Sequence, residues 1–142
     1  MHTEIDSCKW LFLRELSEPE ENSLRVVVEE ARADGPPEDI VILGKLIRGT
    51  RPIESVEGCR LFELVWPSYV AYSVRNESFT SWDDSEQWEG KLFRRYSKSH
   101  FLDFVARGTL ATEQYPGPLR HWCLVCFRHI VDVVGCEEPE LR

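Results

Sequence analysis

The chain has no uninterrupted apolar run that approaches the roughly 18 residues a membrane-spanning helix needs, so no membrane association is expected. Its opening stretch, MHTEIDSCKW, places acidic residues where a secretory leader would carry a basic segment and then an apolar one. No export signal is therefore expected, and the location expected is cytoplasmic. Basic residues are in the minority, 17 against 25 acidic ones, and the net charge of -8 disfavours a nucleic-acid partner. Gly44-Lys45 and Gly49-Thr50 do not complete a phosphate-cradling loop, and no serine lies in a nucleophile-elbow pattern. Five cysteines, Cys8, Cys59, Cys123, Cys126 and Cys136, cannot pair completely, so free thiols are the simpler assignment. Asn76-Glu77-Ser78 matches a glycosylation acceptor but carries little weight without export.

The 142 residues fit a single compact α+β domain over residues 1–142, and a 42% hydrophobic content rich in Trp, Phe and Tyr excludes a disordered chain. The patterns predict strands near residues 8–16 and 24–32, joined by SEPEENS as a hairpin and stopped by ADGPPED. Residues 40–47 fit a short helix or a strand equally well. Residues 59–66 and 69–76 flank Pro67-Ser68 and predict a second hairpin or a sharp bend. Phe62, Leu64 and Trp66 share one face, and Val70, Tyr72 and Val74 share the next strand's inward face. Ser99 is an N-cap for a helix whose apolar face is Phe101, Leu102, Phe104 and Val105, and Gly108 ends it. The expected fold is α+β, a predominantly antiparallel β-sheet covered by at least one α-helix.

The run from His121 to Val134 predicts one long strand. On it His121, Cys123, Val125, Phe127, His129, Val131 and Val133 share a face and Cys126 takes the other. The two thiols then diverge, so no metal site and no cofactor are expected, although a bulge or a distant Cys136, Cys59 or His100 would change that. A hydrophobic strand also lacks the positive surroundings that stabilise a reactive thiolate.

For catalysis, His100 or His121 could activate Cys123, Ser99 or water, with Asp103 or Asp132 orienting the imidazole. Nothing in the spacing brings these groups together, so no catalytic residue is assigned. The segment SFTSWDDSEQWEG is the stronger candidate: Trp82 and Trp88 offer broad contact area while Asp83, Asp84, Glu86 and Glu89 attract a basic surface. Basic residues follow at once at Lys91, Arg94, Arg95 and Lys98. Small size, acidity and the absent catalytic signature resemble the general properties of bacterial immunity proteins that neutralise toxins. That resemblance implies an inhibitor directed at a basic protein or toxin. The function expected is thus a non-catalytic protein-interaction or inhibitor domain, and the alternative is a small intracellular hydrolase with a histidine-centred site.

Overall fold

The computed structural model describes residues 2–142, so Met1 of the expected 1–142 unit lies outside the described residues. A short helix α1 (His2–Asp6) leads into β1 (Trp10–Ser17) and β2 (Leu24–Ala31), the antiparallel hairpin the sequence predicts. The ambiguous segment after ADGPPED is a hairpin too, β3 (Glu38–Ile42) and β4 (Lys45–Thr50), turned at Leu43 and Gly44. There follow β5 (Leu61–Trp66), β6 (Ala71–Asn76), β7 (Gln87–Glu89), β8 (Phe93–Lys98), helix α2 (His100–Gly108), β9 (Arg120–Val125), β10 (His129–Gly135) and β11 (Glu140–Leu141). One sheet runs β1-β2-β5-β11, a second runs β6-β10-β9-β8-β7, and β3-β4 stands alone. No described helix is long and apolar enough to cross a membrane.

The main core lies between the two larger sheets. Val26, Val28, Phe62, Leu64 and Trp66 from the first meet Phe93, Trp122, Leu124, Val131 and Val133 from the second. Trp66 and Trp122 are fully buried and cross edge to face at 6.1 Å, a geometry worth about 0.5–1.5 kcal/mol beyond the area it buries. The architecture is mostly antiparallel sheet with little helix. The expected α+β class therefore holds only coarsely. Helix α2 packs Val105 inward on the outer side of β9 and β10, whereas Phe104 on the predicted apolar face is exposed.

The topology overturns one expectation and decides between the alternatives of another. The run from His121 to Val134 is not one strand but the hairpin β9-β10, closed where Cys126 and His129 exchange backbone hydrogen bonds and Arg128 takes a φ of 79°. Of the two outcomes expected around Pro67, the segments make the sharp bend and not the hairpin, because β5 and β6 belong to different sheets. The bend is held by the Tyr69 N–H donating to Asn22 and the Val70 N–H to Val134. Phe62, Leu64 and Trp66 are buried as expected, but Val74 is exposed because β6 is an edge strand whose burial fades toward its C-terminal end.

Near the Ala31 end of β2, on the same face as Val26 and Val28, the carboxylate of Glu30 is buried. It accepts hydrogen bonds from the Arg60 guanidinium and backbone N–H and from Arg32. Arg60 above all, then Arg32, holds its pKa down at about 2 against the free-side-chain 4.5, with burial opposing them. A depressed carboxyl contributes stability that is present above the unfolded value and lost as pH falls through the folded one. The window is therefore about pH 4.5 down to about 2. Both arginines are partly exposed, so the contribution is discounted to about 1–2 kcal/mol. Urea denaturation of wild type and Glu30→Gln should differ by that amount at pH 6 and converge near pH 2. A gap that stays constant across this range would remove Glu30 as the titrating group.

Candidate functional site

The outer face of the second sheet carries polar groups that strand alternation gathers into rows. Tyr96 pairs with His121, which pairs with Val134. One row along, Arg94 pairs with Cys123, then Asp132, then Ser73. Arg75 lies beyond on β6, opposite Ile130. Strand β8 runs into α2 through Ser99, whose extended backbone and side chain make it the helix N-cap, its Oγ accepting the Leu102 N–H at 3.0 Å.

Three groups named separately from the sequence converge here. The Ser99 hydroxyl lies 2.7 Å from His121 Nδ1, and His121 Nε2 lies 2.7 Å from Asp132 Oδ1. Asp132 Oδ2 accepts from Arg75 Nη2 at 3.2 Å. The network itself assigns the protons. The Asp132 carboxylate, already accepting from Arg75, can only accept, so Nε2 is the nitrogen that donates to it; in that tautomer Nδ1 accepts the Ser99 hydroxyl hydrogen while Ser99 Oγ accepts from Leu102. The imidazole is held by two rings, stacked on Tyr96 at 4.6 Å and in edge contact with Phe101 at 5.5 Å.

This is the order of a serine, histidine and carboxylate triad, yet its oxygen is poorly placed to attack anything. Ser99 is 2% exposed and its Oγ caps the helix. Cys123 is no better a nucleophile, since burial first and Asp132 second push its thiol well above the ordinary range. Burial raises Cys126 to about 12. The two cysteines lie in different apolar clusters, and no group of three potential ligands among the described residues could hold a metal ion. His100 meets Asp83 rather than Asp103, so the Asp103-oriented arrangement does not form.

Above the relay opens a cleft of about 300 Å³. His121, Asp132 and Arg75 line one side, Phe101 and Phe104 of α2 another, and Glu86 belongs to a third. Glu86 belongs to the aromatic-acidic segment singled out in the sequence, so the cleft and that segment adjoin. The segment is tied down at several points. Asp83 accepts the Ser85 N–H at 2.8 Å and meets His100 Nε2 at 2.6 Å, and Glu86 accepts the His100 N–H at 3.0 Å. The bond from His100, with the Ser85 N–H, holds the Asp83 carboxyl well below the usual carboxylate range. Asp83 in turn raises His100. The guanidinium of Arg94 lies 4.6 Å from the Trp82 ring and 4.4 Å from the Trp88 ring.

The six sequence candidates thus divide. Asp83 and Glu86 fasten the segment to α2, Trp82 and Trp88 stack on Arg94 yet remain 48% and 38% exposed, and Asp84 and Glu89 face solvent. Arg75 and Tyr96 were missed, and Arg94 and Phe104 were named in other roles. The alternation of Tyr72 and Val74 with Ser73 and Arg75 was the available signal for Arg75, since it sends the polar pair to the opposite face. No protein-family model, curated protein or solved structure matches this chain.

Proposed function

We propose that this chain is a non-catalytic recognition protein that binds a basic protein surface through Trp82, Trp88 and the carboxylates between and beside them, with the adjoining cleft as part of the contact. A role as an inhibitor of a basic toxin belongs to the same reading. The observation that carries it is the fastening of residues 83–86 to α2 while two large aromatic rings stay half-exposed beside Asp84 and Glu89. A surface already ordered in its free state loses little conformational freedom on binding, and Trp is the residue type most often found to dominate interface energetics. The net charge of -8 draws a basic partner toward it.

The test is affinity purification of a partner, followed by binding measurements with substituted chains whose thermal melts match wild type. Trp82→Ala and Trp88→Ala should each weaken binding about 30-fold, the equivalent of about 2 kcal/mol. Asp84→Asn with Glu89→Gln should act mainly on the association rate and flatten its salt dependence. A partner whose affinity is untouched by all four changes rules this surface out.

One observation favours a second reading, that of a small hydrolase: His121 lines the cleft and joins Ser99 to Asp132 at 2.7 Å on either side. Covalent labelling of Ser99 by a fluorophosphonate, abolished in His121→Gln, would establish it. The burial of Ser99 makes recognition the preferred reading.

A further inference from the structure

We infer that the β3-β4 hairpin is a self-association arm that pairs its β3 edge with the β3 edge of a second copy across a twofold axis. Every residue from Glu38 to Gly49 is exposed, including Val41 at 67% and Leu43 at 101%, with Ile40, Ile42, Leu46 and Ile47 beside them. A lone two-stranded hairpin is marginal in water, and an apolar pair of open edges is a template for another strand. The apolar side chains occupy both faces: Ile40, Ile42 and Ile47 on one, Val41 and Leu46 on the other. Such a segment asks to be extended sideways. Lipid is a poor occupant, because the edge N–H and C=O groups would enter it unpaired and the chain is strongly acidic.

The pairing register follows from the hairpin's own geometry. Leu43 and Gly44 have φ of 51° and 77°, a two-residue turn of the type that closes on a hydrogen-bonded pair, here Ile42 and Lys45. By alternation the backbone groups of Ile40 and Ile42 point to β4 and those of Val41 point outward; the ladder shifts between Ile40–Ile47 and Glu38–Thr50, with the extra residue on β4, so Asp39, the single β3 residue opposite that bulge, keeps the outward direction. A twofold axis between Ile40 and its counterpart then sets Asp39 opposite Val41 of the other copy, and the reverse. Each pair exchanges both backbone hydrogen bonds. Pro37 has no N–H with which to extend the ladder.

Charge agrees with this register and with no shift toward β4 self-pairing. Lys45, Arg48 and Arg51 make the β4 side basic, so two β4 edges would repel, whereas β3 carries Glu38 and Asp39 at one end only. The antiparallel twofold brings Glu38 of one copy opposite Ile42 of the other. Ile42 is paired in its own hairpin with Lys45 on the same face. Acidic and basic ends therefore meet across the axis, and the isoleucine faces of both hairpins form one surface.

Sedimentation equilibrium of the purified chain from low micromolar to submillimolar concentration should show a reversible monomer-dimer equilibrium. Val41→Pro removes an outward N–H while leaving the hairpin's own ladder intact, and should weaken the dimer about tenfold or more through the two symmetric hydrogen bonds it deletes. Glu38→Lys and Lys45→Glu should each weaken it severalfold and the double variant should recover. Only a contact between copies gives that recovery, since the two residues sit at opposite ends of one hairpin. A chain that stays monomeric throughout overturns the inference, as does a dimer indifferent to Val41→Pro and to the charge reversals. Monomer that instead pellets with phosphatidylcholine vesicles overturns it in favour of a lipid surface.

Discussion

Trp122→Ala should lower the unfolding free energy by about 3–5 kcal/mol, the range for removing a large buried aromatic side chain, and so take a large share of the 5–15 kcal/mol typical of a folded domain. Trp122 is fully buried on β9, crosses Trp66 of the opposite sheet edge to face, and lies over Gly135. Its loss opens a void at the centre of the inter-sheet core, where neither sheet can collapse without moving its ladder. Trp122→Phe separates packing from polarity. The indole Nε1 is buried without a hydrogen-bond partner among the described residues, so phenylalanine forfeits no hydrogen bond and should cost less than half as much. Urea unfolding of both variants measures the difference. Equal losses would mean that the indole N–H matters more than the ring's bulk.

Asp132→Ala should cost about 3 kcal/mol, a scale set by leaving buried donors without their acceptor. Alanine strands the His121 Nε2–H in a site that is only 2% exposed and releases Arg75. Asp132→Asn tests the proton assignment more finely. Its amide oxygen still accepts from His121, while its NH₂ faces the Arg75 donor, so most of the cost should come from the arginine side. In the variant pair Asp132→Asn with Arg75→Leu that penalty should then shrink, as a thermodynamic cycle would show. If asparagine is as damaging as alanine, Nε2 is not the donor assigned here.

The sequence carried the elements further than their partners. Phe62, Leu64 and Trp66 were legible as a buried face because strict alternation survives on β5, and Ser99 was legible as a cap because a hydroxyl directly before an apolar helical pattern has few other uses. The turn at Phe127 and Arg128 was not, since it has no Gly, Pro, Asn or Asp to mark it and Arg128 takes the left-handed region without local warning. That one omission hid the site. His121 and Asp132 are 11 positions apart, so an unbroken strand sends them to opposite faces, whereas the turn restores them to the same face within bonding distance. Pro67-Ser68 left a hairpin and a sharp bend both open: locally it suits either, and only contacts with Asn22 and Val134, remote in sequence, divert the chain into the second sheet.

The order of strands has a consequence for how the chain reaches this state. β6 finds its neighbour in β10, with Asn76 opposite His129, and β5 finds one of its own in β11, with Leu64 opposite Leu141. Both sheets therefore depend on long loop closures, whose entropic cost falls due before the pairing rewards it. Early in folding the β1-β2 and β3-β4 hairpins have local partners, while β5 and β6 wait with edges open. The acidic excess then has a kinetic use as well, keeping chains apart by mutual repulsion during the interval in which their unpaired strands are most exposed to one another.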